Sequence, residues 1–211
     1  MSIPYLIPAE EIRREQVVVN SRFIATLAPV SSTEEARTFI ARIRKEFSDA
    51  THNVPAYIIG GGNSISDYCS DDGEPSGTAG RPALAVLRGS GLGDVAVVVT
   101  RYFGGTLLGK GGLVRAYTES TQMVVKAVQR ARRQQVQVAM LALPYNLLER
   151  IRKLVEAHHG DILDESFAAD ITMTFRLPVE NVEQFQAGIS EFSAGALHIE
   201  TIETTEILLS A

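Results

Sequence analysis

The stretch Thr100–Tyr117, TRYFGGTLLGKGGLVRAY, decides how the chain is interpreted. It follows the apolar run DVAVVV, and five of the nine residues 104–112 are glycine. Glycine permits positive φ and close backbone approach, and a helix N-terminus carries free N–H groups with a partial positive charge. The pattern predicts a buried strand, a tight turn and a helix whose start, with Lys110 nearby, seats an anion. A purely structural turn is the alternative.

The same stretch contains most of a nucleotide-binding P-loop. Residues 104–110, GGTLLGK, fit G-x-x-x-x-G-K. In that motif the next residue is Ser or Thr, whose hydroxyl holds magnesium, whereas Gly111 stands here. We therefore do not expect nucleotide hydrolysis by the P-loop route.

Composition indicates an ordinary globular protein with one large domain or two small ones. The chain has 211 residues, of which 45% are apolar and 21% are charged. No apolar run reaches the ~18 residues of a membrane span, and the N-terminus MSIPYLIPAEEIRREQ does not fit an export signal. We therefore expect a cytoplasmic protein that does not bind membranes.

Cysteine and histidine usage argues against metal chemistry. Cys69 is the single cysteine, so an intramolecular disulfide is excluded, and the four histidines have no ligand spacing. We expect no metal and no cofactor. A Cys69/His52 nucleophile pair is an alternative that only a structure could test.

Charge is unevenly distributed along the chain. Residues 109–153 contain nine Lys or Arg and two Glu, a net +7 in a chain whose total is −5. One alternative is a basic face that binds nucleic acid, and the other is cations placed at a helix C-terminus on a solvated face.

Hydrophobic periodicity predicts an α+β protein with two domains. In the first half of the chain, the pattern predicts a strand pair followed by a helix over about 33–47, which begins with a Ser32/Glu35 capping box. A strand at 54–60 and a long polar loop at 61–82 are predicted next. Two helices are predicted after this loop, a short one ended by Gly89 and one from the glycines to about Arg130. From Gln134 the order becomes βαββαβ, the ferredoxin-like unit. We therefore predict domains at 1–132 and 133–211.

A second unusual stretch lies inside the predicted loop, at SDDGEPSGTAGRPAL, residues 70–84. Asp71, Asp72 and Glu74 suggest either a metal site or acid–base chemistry. Their spacing does not fit a calcium loop, and Asp-Gly followed by Glu-Pro is typical of turns. Turn scaffolding is the preferred interpretation, and no catalytic residue is assigned.

Together, SDDGEPSGTAGRPAL and VVVTRYFGGTLLGKGGLVRAY resemble the IMPACT family, in particular its two-domain bacterial branch. The resemblance implies a first domain with the fold of ribosomal protein S5 domain 2 and a ferredoxin-like second domain similar to elongation factor G domain V. Eukaryotic members regulate translation through an additional N-terminal interaction domain, which we expect to be absent here, so their partner is not transferred.

What the resemblance implies for this chain is a translation-related protein that contacts RNA or the ribosome. Its motif residues carry over to Asp71, Asp72, Glu74 and Thr78 in the first loop, and they include Tyr117 at the end of the second stretch. In the second stretch the predicted phosphate- or nucleic-acid-binding set, with Lys110 added from the anion seat, is Arg101, Tyr102, Gly104, Gly105, Gly109, Lys110, Gly111, Gly112 and Arg115.

Three functions remain open from the sequence. The first is a non-catalytic RNA- or ribosome-binding protein that regulates translation, with Tyr102 or Phe103 stacking on a base. The second is an enzyme or binder acting on a phosphorylated small molecule, because kinases of the GHMP type share the implied first fold. The third is a regulator that binds a protein partner.

Overall fold

The computed structural model describes residues 5–61 and 64–210. Two compact units divide the chain, one comprising Met1–Arg132 with Leu209–Ala211 and the other Arg133–Leu208. Each unit combines a sheet with helices, so the chain is a two-domain α+β protein. Residues 1–4, on which the expected lack of an export signal partly depends, lie outside the described residues.

The first unit is built on a five-stranded sheet. Its elements are β1 (Ile7–Pro8), β2 (Ile12–Val18), β3 (Ser21–Pro29), α1 (Thr33–Glu46), β4 (His52–Gly61), β5 (Ser64–Cys69), α2 (Gly80–Gly89), β6 (Val95–Tyr102) and α3 (Gly109–Ala127). The sheet order is β2-β3-β6-β4-β5, and every neighbouring pair is antiparallel. The central strand β6 is buried along almost its whole length, as expected of a strand covered on both faces.

Helices cover both faces of this sheet. α2 and α3 pack over one face, where Phe23, Val97 and Tyr117 belong to the main core. α1 packs on the other face through Ala36, Phe39, Ile40 and Ile43, the stripe that the sequence predicts. The predicted cap is also confirmed, because the Ser32 side chain accepts a hydrogen bond from the Glu35 N–H at 3.1 Å.

Two boundaries differ from the sequence prediction. The segment predicted as a loop over 61–82 contains the strand β5 and the start of α2; residues 62–63 lie outside the described residues. Pairing with β4 overrides the polar composition of β5, and Tyr68 stacks on Tyr57 with ring centroids 5.3 Å apart. α3 ends at Ala127 rather than near Arg130, because the backbone is extended at Val128 and Arg130 then pairs with β1.

The second unit contains most of the strand β7 (Arg130–Leu143), whose first three residues belong to the first unit. Its further elements are α4 (Leu148–Ala157), β8 (Asp161–Phe167), β9 (Ile171–Pro178), α5 (Val182–Ser193) and β10 (Glu200–Ser210). This element order is the one that the sequence predicts, and the strands lie in the order β10-β7-β9-β8. The alternating positions of β9 are fully buried as expected, at Ile171, Met173, Phe175 and Leu177.

In the part of the chain that the structure describes, no helix is both long enough and apolar enough to cross a membrane.

Candidate functional site

Both unusual stretches of the sequence meet at one cavity in the first unit. We call residues 70–79 the acidic loop and residues 103–108 the glycine loop. The cavity has a volume of about 420 Å³ and is lined by both loops, by the first turn of α3, and by residues at or next to the ends of β4 and β6. Its lining includes Glu74 from the acidic loop and Phe103 from the glycine loop.

Strand register places Arg101 at the base of this cavity. In the sheet Arg101 lies opposite Phe23 on one side and His52 on the other, so the three side chains share the face covered by α2 and α3. The guanidinium lies 5.4 Å from the Phe23 ring centroid and 5.6 Å from that of Phe103. Only 5% of Arg101 is exposed, so this cation belongs to the interior.

Glu74 neutralises the buried guanidinium. It accepts hydrogen bonds from Arg101 Nη1 at 2.7 Å and from the Tyr117 hydroxyl at 2.8 Å. Burial raises the pKa of Tyr117 above its ordinary range, and the charge of Glu74 and the hydrogen bond to it raise it further. Tyr117 therefore acts as a neutral donor that helps to hold the Glu74 carboxylate.

Arg101 is not fully satisfied by these partners. Nη2 reaches the Ser21 hydroxyl at 3.3 Å, whereas Nε is buried and has no hydrogen-bond partner among the described residues. A buried donor without a partner is costly and uncommon in folded proteins. The interior of the first unit thus holds a guanidinium whose hydrogen-bonding capacity is only partly used.

A hydrogen bond to the acidic loop orients His52 beside the same pair. Its Nδ1 lies 2.7 Å from the carbonyl oxygen of Asp72, which can only accept, so Nδ1 carries the proton. Nε2 is 3.8 Å from Glu74 Oε1, too far for a hydrogen bond. In neutral His52 this nitrogen is an acceptor that the described residues leave available.

The remaining acidic-loop residues fasten the loop to the fold. Asp71 accepts from the N–H groups of Gly77, Ala79 and Gly80, which fixes the start of α2. Burial opposes ionisation of Asp71, but these backbone hydrogen bonds lower its pKa overall. Asp72 accepts from the Asn53 N–H and from Arg44, and the Thr78 hydroxyl donates to the Pro75 carbonyl.

The glycine loop is shaped by backbone requirements. A Cβ on Gly104 would lie 2.1 Å from the Asn20 backbone, so only glycine fits there. Gly105 and Gly109 have positive φ values of 82° and 70°. The turn delivers the chain to α3, whose first turn includes Gly111 and Gly112 and has no side-chain cap. Structural need therefore accounts for three of the five glycines.

The start of α3 is chemically open. Lys110 is exposed and lines the cavity, and the described residues provide no ion-pair partner for it. The N–H groups at a helix start attract anions because of their partial positive charge. An anion at this position would meet both the helix start and the Lys110 ammonium group.

Two large side chains of the predicted binding set lie away from the cavity, and Gly104, Gly105, Gly111 and Gly112 do not line it either. Tyr102 alternates to the other face of β6, where its hydroxyl donates to Asp49 at 2.7 Å and this hydrogen bond raises its pKa. Arg115 is about 200° around the helix from Leu113, which lines the cavity, and it pairs with Glu119 at 2.8 Å. Strand and helix periodicity alone could have separated these residues from Arg101 and Lys110.

Other sequence-level hypotheses find less support in the geometry. The structure gives no contact between Cys69 and His52 in the described chain, and burial raises the pKa of the Cys69 thiol. The basic segment 109–153 is divided between the two units, and three of its arginines form ion pairs: Arg115 with Glu119, Arg133 with Glu206, and Arg152 with Glu149 and Glu165. A net charge counted along the chain therefore does not define one face.

Sequence reasoning did not include His52 and Leu107 in the site. His52 lies two residues before the strand predicted at 54–60, and nothing in its immediate neighbours signals a ligand-facing role. Leu107 could have been found from the sequence, because it is a large apolar residue within a glycine-rich turn. In the structure 86% of it is exposed. Within residues 5–61 and 64–210 no cluster of three potential ligands could hold a metal ion.

Comparison with known proteins identifies the family. The Impact N-terminal domain family matches residues 19–125, which include both loops, and a domain of unknown function, DUF1949, matches residues 141–196. An IMPACT family member of Haemophilus influenzae is 37% identical over 203 residues, covering 96% of this chain and 98% of the relative. IMPACT family member YigZ of Escherichia coli is 36% identical over 200 residues, covering 94% and 98%.

A solved structure extends this similarity to the fold. The crystal structure of a protein described as hypothetical has a TM-score of 0.64 and 36% sequence identity, covering 96% of this chain and 99% of the other. The domain match and the nearly full-length relatives agree on one assignment. The chain belongs to the IMPACT family.

Proposed function

We propose that the protein is a non-catalytic regulator of translation that binds RNA, free or in the ribosome, through the start of α3 and the glycine loop. The observation that carries this proposal is the uncapped, exposed first turn of α3 with Lys110 beside an apolar cavity. A phosphate at the helix start and an apolar surface beside it match the two parts of a single-stranded nucleotide.

The family supports the translation part of the proposal. The resemblance to eukaryotic members implies control of translation, and this chain contains both motif stretches of the family. A protein that binds RNA or ribosomes in this way would act in the cytoplasm. The partner of the eukaryotic proteins is not part of the proposal.

The finer fold assignments accompany the proposed function. We propose a ribosomal protein S5 domain 2-like fold for the first unit and a ferredoxin-like fold, similar to elongation factor G domain V, for the second. The strand order β10-β7-β9-β8, with helices after β7 and β9, supports the ferredoxin-like assignment. Both folds belong to proteins that act on the ribosome, which is consistent with the proposed role.

Chemistry on a phosphorylated small molecule is less well supported. An enzyme of that kind needs a positioned base or acid near the ligand. Asp71 is occupied by three backbone N–H groups, and Glu74 is held by Arg101 and Tyr117. The carboxylates that could have served catalysis are thus already engaged in holding the fold.

The test is RNA and ribosome binding by charge variants. Co-sedimentation with ribosomes and fluorescence anisotropy with a single-stranded RNA 12-mer are measured from low to physiological salt. We expect binding that weakens with salt. Lys110→Glu should reduce both the affinity and the salt slope, by about 0.7 for each phosphate that the variant no longer neutralises.

Two further variants sharpen this test. Lys126→Glu makes the same charge change near the other end of α3 and should bind as the wild type does. Arg115→Glu should have a smaller effect than Lys110→Glu, because Arg115 lies away from the cavity and is paired with Glu119. Binding that changes neither with salt nor in any of the three variants would indicate a protein partner instead. Binding to a ribosome extract that persists after nuclease treatment would indicate the same.

A further inference from the structure

We propose that the cavity between the acidic loop and the glycine loop receives a single unstacked nucleobase, whose attached phosphate binds at the start of α3. This inference rests on the proposed function and deepens it by naming what enters the cavity. The ligand class is a nucleotide recognised through its base, rather than a phosphate backbone alone.

The dimensions and walls of the cavity suit a planar aromatic group. Its volume of about 420 Å³ lies within the range of about 300–1,000 Å³ typical of small-molecule sites. The walls include Phe103, Leu107, Leu108 and Leu113. A base fits such a surface because its faces are apolar and its edges are polar.

Phe103 provides the stacking surface. It is 45% exposed although it is a large aromatic residue, and its N–H donates to the Thr51 hydroxyl at 3.0 Å, which anchors its backbone. On one side the ring meets the Arg101 guanidinium. An anchored ring on a cationic support is a rigid platform, and base–aromatic stacking on such platforms contributes substantially to single-strand binding.

Polar atoms at the base of the cavity match the edge of a nucleobase. In neutral His52, Nε2 is an available acceptor, and it would accept from the amino or imino N–H of a base. Arg101 is a second polar residue that lines the cavity, although its unpartnered Nε is itself covered by protein atoms. These two polar side chains at the base of the cavity favour a polar-edged ring over an aliphatic side chain.

Gly111 is consistent with a ligand at the helix start. It lies in the first turn of α3, and a Cβ built on it would meet nothing within 4 Å. Glycine inside a helix is less favourable than alanine because it loses more backbone freedom on folding. Because the protein's own packing does not require glycine there, the open space is available to a phosphate that approaches the N–H groups closely.

The experiment compares nucleotides with the same sugar phosphate lacking a base. Binding of AMP, CMP, GMP, UMP and ribose 5-phosphate to the full chain is measured by calorimetry. We expect at least one nucleotide to bind about 5- to 150-fold more tightly than ribose 5-phosphate, the factor that corresponds to stacking one base. Equal binding of all five, or no binding of any, would overturn the inference.

Phe103→Ala and Phe167→Ala serve as the test and its control. Both change an exposed phenylalanine, and Phe167 lies in the second unit. Phe103→Ala should abolish the preference for nucleotides over ribose 5-phosphate. It should also lower the affinity for the RNA 12-mer about 5- to 150-fold without changing the salt slope of binding. Phe167→Ala should have neither effect. Matching results for the two variants would also overturn the inference.

The outcomes separate this inference from the proposed function. Salt-dependent RNA binding that needs Lys110 but is indifferent to Phe103→Ala would leave the proposed function standing and remove the base pocket. Tight nucleotide binding that depends on Phe103, without any affinity for the 12-mer or ribosomes, would support the base pocket and contradict the proposed function.

Discussion

The acidic loop and the glycine loop line one cavity, yet they satisfy their polar groups in opposite ways. The acidic loop directs its carboxylates to backbone N–H groups, Arg44, Arg101 and Tyr117. The glycine loop has few polar side chains, exposes Phe103 and Leu107, and leads into an uncapped helix. The charged motif is thus the scaffold, and the nearly uncharged one presents the surface for a ligand.

This contrast reverses the usual expectation for acidic residues. Carboxylates close together in a loop suggest a metal or an acid–base pair, but here their hydrogen-bonding capacity is used within the fold. Buried polar groups are stable only when they are paired. Substitutions in the acidic loop should therefore change stability, and substitutions in the glycine loop should mainly change binding.

The largest effect should come from Glu74→Gln. This change leaves the buried Arg101 guanidinium without its counter-charge, and breaking a buried ion pair costs about 3–5 kcal/mol. The measurement is the free energy of unfolding by urea. Glu119→Gln, which breaks the exposed pair with Arg115, should cost less than about 1 kcal/mol. Similar losses for both variants would show that Glu74 does not have this scaffold role.

Tyr117→Phe should have the next largest effect. It keeps the ring packed against Phe23 but removes the hydroxyl that donates to Glu74. Hydrogen bonds to charged groups contribute about 1.5–3 kcal/mol, and we expect a loss in that range in urea unfolding. The same substitution at Tyr68, on the exposed edge strand, should change stability little. If Tyr117→Phe left the free energy of unfolding unchanged, Arg101 alone would hold Glu74.

Asp71→Ala should destabilise the chain by about 0.5–2 kcal/mol at neutral pH, the usual effect of replacing a side chain that caps a helix N-terminus by alanine. Folding lowers the pKa of Asp71 below its ordinary value of 3.8. The ionised carboxylate therefore stabilises the fold fully at pH values above 3.8, and this contribution is lost as the pH falls through the lowered pKa. The difference between wild type and variant should therefore shrink on acidification. A difference that stays constant from neutral pH to well below the ordinary value would contradict this reasoning.

A pair of glycine substitutions should include the smallest effect. Gly109→Ala should cost about 1–2 kcal/mol because φ is positive there, whereas Gly111→Ala should stabilise the helix by up to about 1 kcal/mol. Thermal unfolding measures both. If an anion uses the open space at Gly111, the more stable Gly111→Ala should also bind the RNA 12-mer more weakly, and unchanged binding would place the phosphate elsewhere.

Much of the local structure is predictable from periodicity. The α1 stripe, its cap at Ser32, the buried alternation of β9 and the element order of the second unit follow from spacings of 3.6 and 2. β5 was not predictable in this way, because its residues are mostly polar and acquire their structure from pairing with β4. The end of α3 likewise depended on the pairing of Arg130 with β1.

The candidate site shows the same division. The sequence by itself determined that two unusual loops exist, that one is rich in glycine and that it leads into a helix, because these are properties of neighbouring residues. Only the tertiary structure decided that Arg101 is buried, that Glu74 and Tyr117 hold it, and that His52 and Phe103 line the same cavity. Those residues are far apart in the sequence, since Arg101 follows Glu74 by 27 positions and Tyr117 follows it by 43. Strand register and helix packing bring them together, and neither can be read from local sequence patterns.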